Sequence, residues 1–125
     1  MSANVKVIES AYAAFAKGDI PGVIELLDDT VEWSSPATLP HGGYFNGKDG
    51  VGKFFEGIGA AWQGLGLDIE SVSDGGGDLV IGLVRADGTR HSGVAEGYGA
   101  THIFTVRGGK ITRFREYTDL DAPLT

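Results

Sequence analysis

The chain has 125 residues, with 10 Lys plus Arg against 17 Asp plus Glu, and no Cys. That length suits one domain, 1–125, and the balance 10 − 17 = −7 leaves no basic surplus to neutralise phosphates, which argues against a nucleic-acid partner. The missing thiols exclude a disulfide scaffold and a cysteine nucleophile, and the lack of a long apolar run or signal segment points to a soluble, cytoplasmic protein without a membrane partner.

From the amino terminus, Val5, Ile8, Tyr12 and Phe15 recur at three- and four-residue steps and make one apolar face of a helix. Ser2 or Asn4 can cap its start, and Gly18 stands where a glycine ends a helix. Asp19 caps a second, shorter helix with Pro21 in its first turn and Val23, Ile24, Leu26 and Leu27 turned inward. Asp28, Asp29 and Thr30 stop it. Val31 to Ser34 reads as a short strand. Ser35 to Lys48 reads as a loop holding Pro36, Pro40, Gly42-Gly43 and Asn46-Gly47. A third helix begins at Asp49, with Val51, Phe54, Phe55, Ile58 and Trp62 in an apolar stripe. Gly50, Gly52, Gly57 and Gly59 lie in or beside it, and an interior Gly costs about 0.8–1 kcal/mol against Ala. This helix therefore needs packing on its aromatic face, and the glycines would let a strand approach closely.

From Leu67 the apolar period changes to two. Leu67–Ser73, Leu79–Ala86, Arg90–Glu96, Ala100–Arg107 and Lys110–Thr118 read as strands. Between them stand Asp74-Gly75-Gly76-Gly77, Asp87-Gly88, the Gly97–Gly99 stretch and Gly108-Gly109, all hairpin signals because primed turns need positive φ. Helices first and a meander afterwards predict an α+β fold, an antiparallel sheet of four or five strands packed on three N-terminal helices. If that sheet curls around the helices, the space between becomes an apolar pocket. Tyr12, Trp33, Tyr44, Phe54, Phe55, Trp62 and Tyr98 are candidates to line it and bind substrate, although Phe54 and Phe55 read first as plain core.

The order of elements resembles a known family. Tyr12–Asp19 (YAAFAKGD), Leu26–Trp33 (LLDDTVEW), Gly43–Phe55 (GYFNGKDGVGKFF) and above all His102–Asp119 (HIFTVRGGKITRFREYTD) are similar to the nuclear transport factor 2-like superfamily, in its SnoaL-like and ketosteroid-isomerase-related branch. The resemblance implies a cone of curved sheet capped by three helices, a homodimer through the outer sheet surface, and an interior pocket for a small, largely apolar molecule. Ketosteroid isomerases use an Asp base with a Tyr and a protonated Asp. The matching positions here hold Trp33, Ala11 and Thr101, so steroid isomerase chemistry is disfavoured. In the SnoaL-like cyclases an Asp near the end of the last strand acts as general acid/base beside a His. Asp119 and His102 match those places. Such a pair would move protons without a metal or organic cofactor.

Strand parity complicates the pairing. With Gly108-Gly109 as a two-residue turn, Phe104 pairs with Arg113 and His102 with Arg115. His102, Arg113, Arg115, Tyr117 and Asp119 then share one face, and Thr101, Ile103, Thr105, Phe114 and Glu116 the other. If the second face looks inward, Glu116 replaces Asp119 as the ionisable group, and a bulge near Tyr117 would reverse the last residues. His41, in the Pro40-His41-Gly42-Gly43 loop, could contact a ligand at a pocket mouth but reads first as a solvent-exposed residue, and His91 reads as exposed. The three His residues show no metal-ligand spacing. The expectation is a cofactor-free enzyme of isomerase, cyclase or lyase type acting on a small apolar or carbonyl-containing molecule, with Asp119, His102 and Glu116 as the catalytic candidates. A non-catalytic ligand-binding or dimerisation module is the alternative. Epoxide hydrolysis, through Asp119 with Arg85 or Arg115, is a minor one.

Overall fold

In the computed structural model, which describes residues 2–119, helix α1 (Ala3–Ala16) starts where expected, with Ser2 Oγ accepting from the Val5 N–H at 3.1 Å. Val5, Ile8 and Ala11 form its buried face. Asp19 caps α2 (Ile20–Glu25) by accepting from the Gly22 N–H at 3.0 Å. Strand β1 (Leu27–Ser35) begins earlier than predicted, taking Leu27 out of the helix and into the sheet. The predicted loop then contains a short strand, β2 (Gly43–Asn46), that runs into α3 (Gly47–Ala61). Four long strands complete the chain: β3 (Trp62–Gly76), β4 (Leu79–Arg90), β5 (Ala95–Arg107) and β6 (Lys110–Thr118).

The α+β expectation holds. Among the described residues the strands form one curved, unclosed sheet of six, in the order β2-β1-β6-β5-β4-β3. It is not wholly antiparallel, because β1 lies parallel to β6, with Trp33 opposite Phe114. A strand laid down before α3 can return beside the last strand only through the long meander between them.

Two turn assignments need correction. Asp87-Gly88 and Gly97–Gly99 lie inside β4 and β5, where Asp87 pairs with Gly97 and Gly88 with Glu96. The chain reverses instead after Arg90, whose N–H bonds to the Val94 carbonyl at 2.8 Å, with Gly93 at φ 93°. Gly88 is a packing residue. A Cβ there would lie 2.6 Å from the indole of Trp62. Trp62 itself is the first residue of β3, not the last of the helix. In α3, Gly52 and Gly59 have nothing within 4 Å of where a Cβ would stand, whereas a Cβ at Gly50 or Gly57 would meet Phe45 or His41 at ordinary contact distance.

The turn at Gly108-Gly109 is as predicted, with φ of 58° and 77° and Arg107 opposite Lys110. Two residues further on the ladder slips. Val106 pairs with Ile111 and Thr105 with Arg113, so Thr112 is an extra residue on β6. A bulge of one residue transfers every later side chain to the other face. Phe104 therefore faces Phe114, and His102 faces Glu116 rather than Arg115.

The buried side chains fall into two groups that meet at Tyr12 and Ile58. One holds Ile8, Val31, Val51, Phe104 and Phe114 among others, and the second holds Trp62, Val84, Ala86 and Tyr98.

Candidate functional site

Between the sheet and the helices lies a cavity of about 70 Å³. Its wall is largely aromatic. Phe54 and Phe55 come from α3, Trp33 from β1, Tyr98 and Phe104 from β5, and Phe114 from β6. Three further groups give it chemistry: Tyr12 from α1, His102 from β5 and Glu116 from β6.

These groups are joined by hydrogen bonds. His102 Nε2 lies 2.9 Å from Glu116 Oε2, with the two side chains 6% and 7% exposed. The Ser35 hydroxyl donates to the other carboxylate oxygen, Oε1. Tyr12 Oη stands 2.8 Å from His102 Nδ1. The result is a buried chain, Ser35–Glu116–His102–Tyr12, that crosses from β1 through the last hairpin to α1. The hairpin bulge sets His102 opposite Glu116, and the alternation of Val31, Trp33 and Ser35 along β1 turns Ser35 inward. Gly82, paired with His102 on β4, leaves room for Tyr12, because a Cβ at that position would collide with the tyrosine hydroxyl.

The electrostatics assign protons. Burial is the strongest single influence on Glu116 and favours its neutral form, but the hydrogen bonds from His102 and Ser35, with the attraction of either His102 or His41 whenever that ring is protonated, outweigh it. Its pKa falls below the ordinary 4.5, so the group is a carboxylate. A carboxylate only accepts, so His102 Nε2 carries a hydrogen. Burial first, and then the Glu116 charge, push the Tyr12 and Tyr98 hydroxyls far above an ordinary phenol, and both stay neutral.

A second imidazole faces the same cavity. His41 is 5% exposed, against the expectation of a solvated loop residue, and accepts from the Trp62 indole N–H through Nδ1 at 3.0 Å. Burial lowers its pKa below 6.5, with Arg90 adding to the effect and Glu116 opposing it. Nothing in the helical or strand periodicity could have located it. Its cue was Gly42, whose absent Cβ is filled by the Pro36 carbonyl.

Of the residues put forward from sequence, Tyr12, Trp33, Phe54, Phe55, Tyr98, His102 and Glu116 are on the cavity wall. Asp119 is not. It is exposed, and its carboxylate accepts from the Gly99 N–H at 3.2 Å, where it fastens the end of the sheet. Tyr44 is 58% exposed on β2 and donates to Glu32. Trp62 is buried behind His41 rather than lining the cavity. Arg85 and Arg115 also fall outside it, which leaves the epoxide-hydrolase arrangement unassembled. Thr101 lies on the opposite strand face from His102, and Ala11 stands beside Tyr12 on the wall. Among the described residues no three His, Asp or Glu side chains gather as a metal site, and no helix is long and apolar enough to cross a membrane.

The model of the SnoaL-like domain matches residues 8–114. The chain belongs to the SnoaL-like family. Solved structures agree with this SnoaL-like assignment. An NTF2-like protein of Burkholderia thailandensis is 28% identical, with 95% of this chain and 92% of that one covered at a TM-score of 0.87. TerC, co-crystallised with polyporic acid, is 27% identical over 97% and 95% of the two chains, with a TM-score of 0.86. A Mycobacterium tuberculosis protein in complex with estradiol-17beta-hemisuccinate shares the fold at 24% identity, with 97% of each chain covered and a TM-score of 0.81. No protein of curated function matches this SnoaL-like chain.

Proposed function

We propose that this SnoaL-like domain is a cofactor-independent enzyme of the isomerase or cyclase type, which moves a proton on a small apolar carbonyl compound. The observation that carries the reading is the buried Ser35–Glu116–His102–Tyr12 chain, whose last three members line a largely aromatic cavity. With Nε2–H held by Glu116, the Nδ1 lone pair of neutral His102 accepts the Tyr12 hydroxyl proton. Tyr12 oxygen can then take a proton from a C–H next to a carbonyl as its own proton passes to Nδ1. The products are an enolate and a His102 imidazolium paired with Glu116. Tyr12 stays neutral throughout, as its raised pKa requires. Reversal through Tyr12 returns the proton to a different carbon, and the enzyme is restored.

In this scheme His102 holds the proton. Glu116, with both oxygens occupied, orients the ring and stabilises the imidazolium. Asp119 has no part. The co-crystallisation of TerC with polyporic acid supports a small-molecule ligand for this chain.

The test is deuterium incorporation from D₂O into the α-positions of hydrophobic ketones, followed by NMR. A panel would first be screened by thermal shift, because a ligand of the native state raises the melting temperature. His102→Gln should slow exchange by about 10²–10⁴-fold, the usual worth of a positioned acid/base. Ketones that bind without any exchange above the solvent rate would sink the enzymatic reading. The domain would then be a ligand-binding module, for which the wholly internal pairing of Ser35, Glu116 and His102 is the favouring observation.

A further inference from the structure

Among the described residues His41 makes one hydrogen bond, and it fixes the state of the ring. An indole N–H is a donor only. Since the Trp62 indole donates to His41 Nδ1 at 3.0 Å, that nitrogen carries a lone pair, and the proton of the neutral ring sits on Nε2. The Pro36–Gly42 loop, drawn tight by the Leu39 N–H on the Pro36 carbonyl and the Gly42 N–H on the Leu39 carbonyl, holds the ring against Phe54. Among the described residues nothing bonds to Nε2. Nor is Nε2 one of the sealed, unpartnered nitrogens, which are Trp33 Nε1 and Arg115 Nε. Nε2 is therefore not sealed, and His41 belongs to the cavity wall.

We infer that His41 presents Nε2–H as a fixed donor to an acceptor oxygen of the cavity's ligand, so that the ligand class is an apolar molecule bearing a carbonyl or enol oxygen at this point. The proposal rests on the cavity being a ligand site, and not on proton transfer there. If proton transfer also occurs, the same donor faces the oxygen on which enolate charge develops. A neutral imidazole with its proton fixed by a second-side hydrogen bond is suited to that task, since it keeps the proton it offers. Burial, which lowers the pKa of the ring, keeps it neutral at pH 7. His41 and His102 thus divide the work. One ring is locked as a donor by an indole, and the other is locked by a carboxylate so that its second nitrogen is free to exchange a proton.

Two probes of nearly equal shape isolate the contact: acetophenone, and α-methylstyrene, in which =CH₂ replaces the carbonyl oxygen. In the unmodified protein labelled with ¹⁵N-histidine, His41 should show a bare Nδ1 and a protonated Nε2. Acetophenone should move the Nε2–H resonance, and α-methylstyrene should not. The ratio of the two dissociation constants should shift about fivefold against acetophenone in His41→Leu, the worth of one neutral hydrogen bond. It should change less than twofold in His41→Gln, whose amide can still donate. A protonated Nδ1, an Nε2–H that ignores acetophenone, or an unchanged ratio in His41→Leu would each overturn the proposal. The spectrum decides even where a variant fails to fold. Acetophenone held by His41 with no α-proton exchange would refute the proton-transfer reading and leave this one standing.

Discussion

Tyr12 shows how narrowly a single side chain can be placed. Its ring is shared between the two buried clusters, its hydroxyl meets His102, and its footing on the sheet is a glycine. Gly82→Ala would put a methyl where the Tyr12 hydroxyl now stands. The sheet itself keeps a permitted backbone, because Gly82 has no positive φ. The expected outcome is a displaced tyrosine, with proton exchange lowered at least tenfold. Overpacking of this kind also lowers stability, by about 1–3 kcal/mol. Urea unfolding and the deuterium assay on the same preparation check both, and an unchanged exchange rate would detach Tyr12 from the relay. At this scale the sequence was partly legible. His102 and Tyr12, expected at the pocket, do line the cavity, whereas Asp119, taken from the resemblance to the SnoaL-like cyclases, lies outside it and accepts from the Gly99 N–H.

The element that decides the site is the last hairpin, and within it the extra residue Thr112. Its hydroxyl donates to the Thr105 carbonyl across the bulge at 3.3 Å, which helps to satisfy the interrupted ladder. Deleting Thr112 would remove the unpaired residue and keep the later pairs, Phe104 with Phe114 and His102 with Glu116, on the inner face. Without the deletion, a hairpin paired rung for rung would set Phe104 opposite Arg113 and His102 opposite Arg115, so Thr112 matters because it is unpaired. The deletion should therefore keep proton exchange and leave the denaturation midpoint in urea nearly unchanged. Lost exchange in a folded variant would show that the bend at the bulge, and not its parity alone, places the pair. Elements were located well where the apolar period was long, as in α1 and β6. They were mislocated where glycine was read as a turn. Gly88 and Gly97 serve space and not reversal, a distinction that depends on what lies across the sheet.

For the molecule as a whole, acid acts in two opposed ways. Protonation relieves the self-repulsion of a chain with net charge −7, but it also loads buried groups that the fold holds unprotonated. His41 has a folded pKa below 6.5, so the unfolded chain takes up the proton first, and stability present above about 6.5 is lost as pH falls through that window. Glu116, lowered from 4.5, contributes stability above that value that disappears as pH falls towards its folded pKa. Exposed charges in water interact weakly, so the buried groups should dominate. Denaturant titrations from pH 7.5 to 3.5 should show two successive declines. His41→Gln should remove the first and Glu116→Gln the second, each relative to its own stability at pH 7.5. A wild-type curve that is flat between pH 7 and 5 would contradict the buried, neutral state of His41.

By itself the sequence determined what depends on local pattern: three amphipathic helices ahead of a two-period meander, an acidic surface, a glycine turn at 108–109, and an aromatic set large enough to enclose a hollow. It also supplied the resemblance that the family match bears out. Only the tertiary structure decided which ionisable groups meet in that hollow. The reason is physical. The face on which a strand residue lies is set by a register in which one extra residue inverts everything after it, and the exposure of His41 is set by a loop with no period at all. Both depend on contacts between segments far apart in the chain.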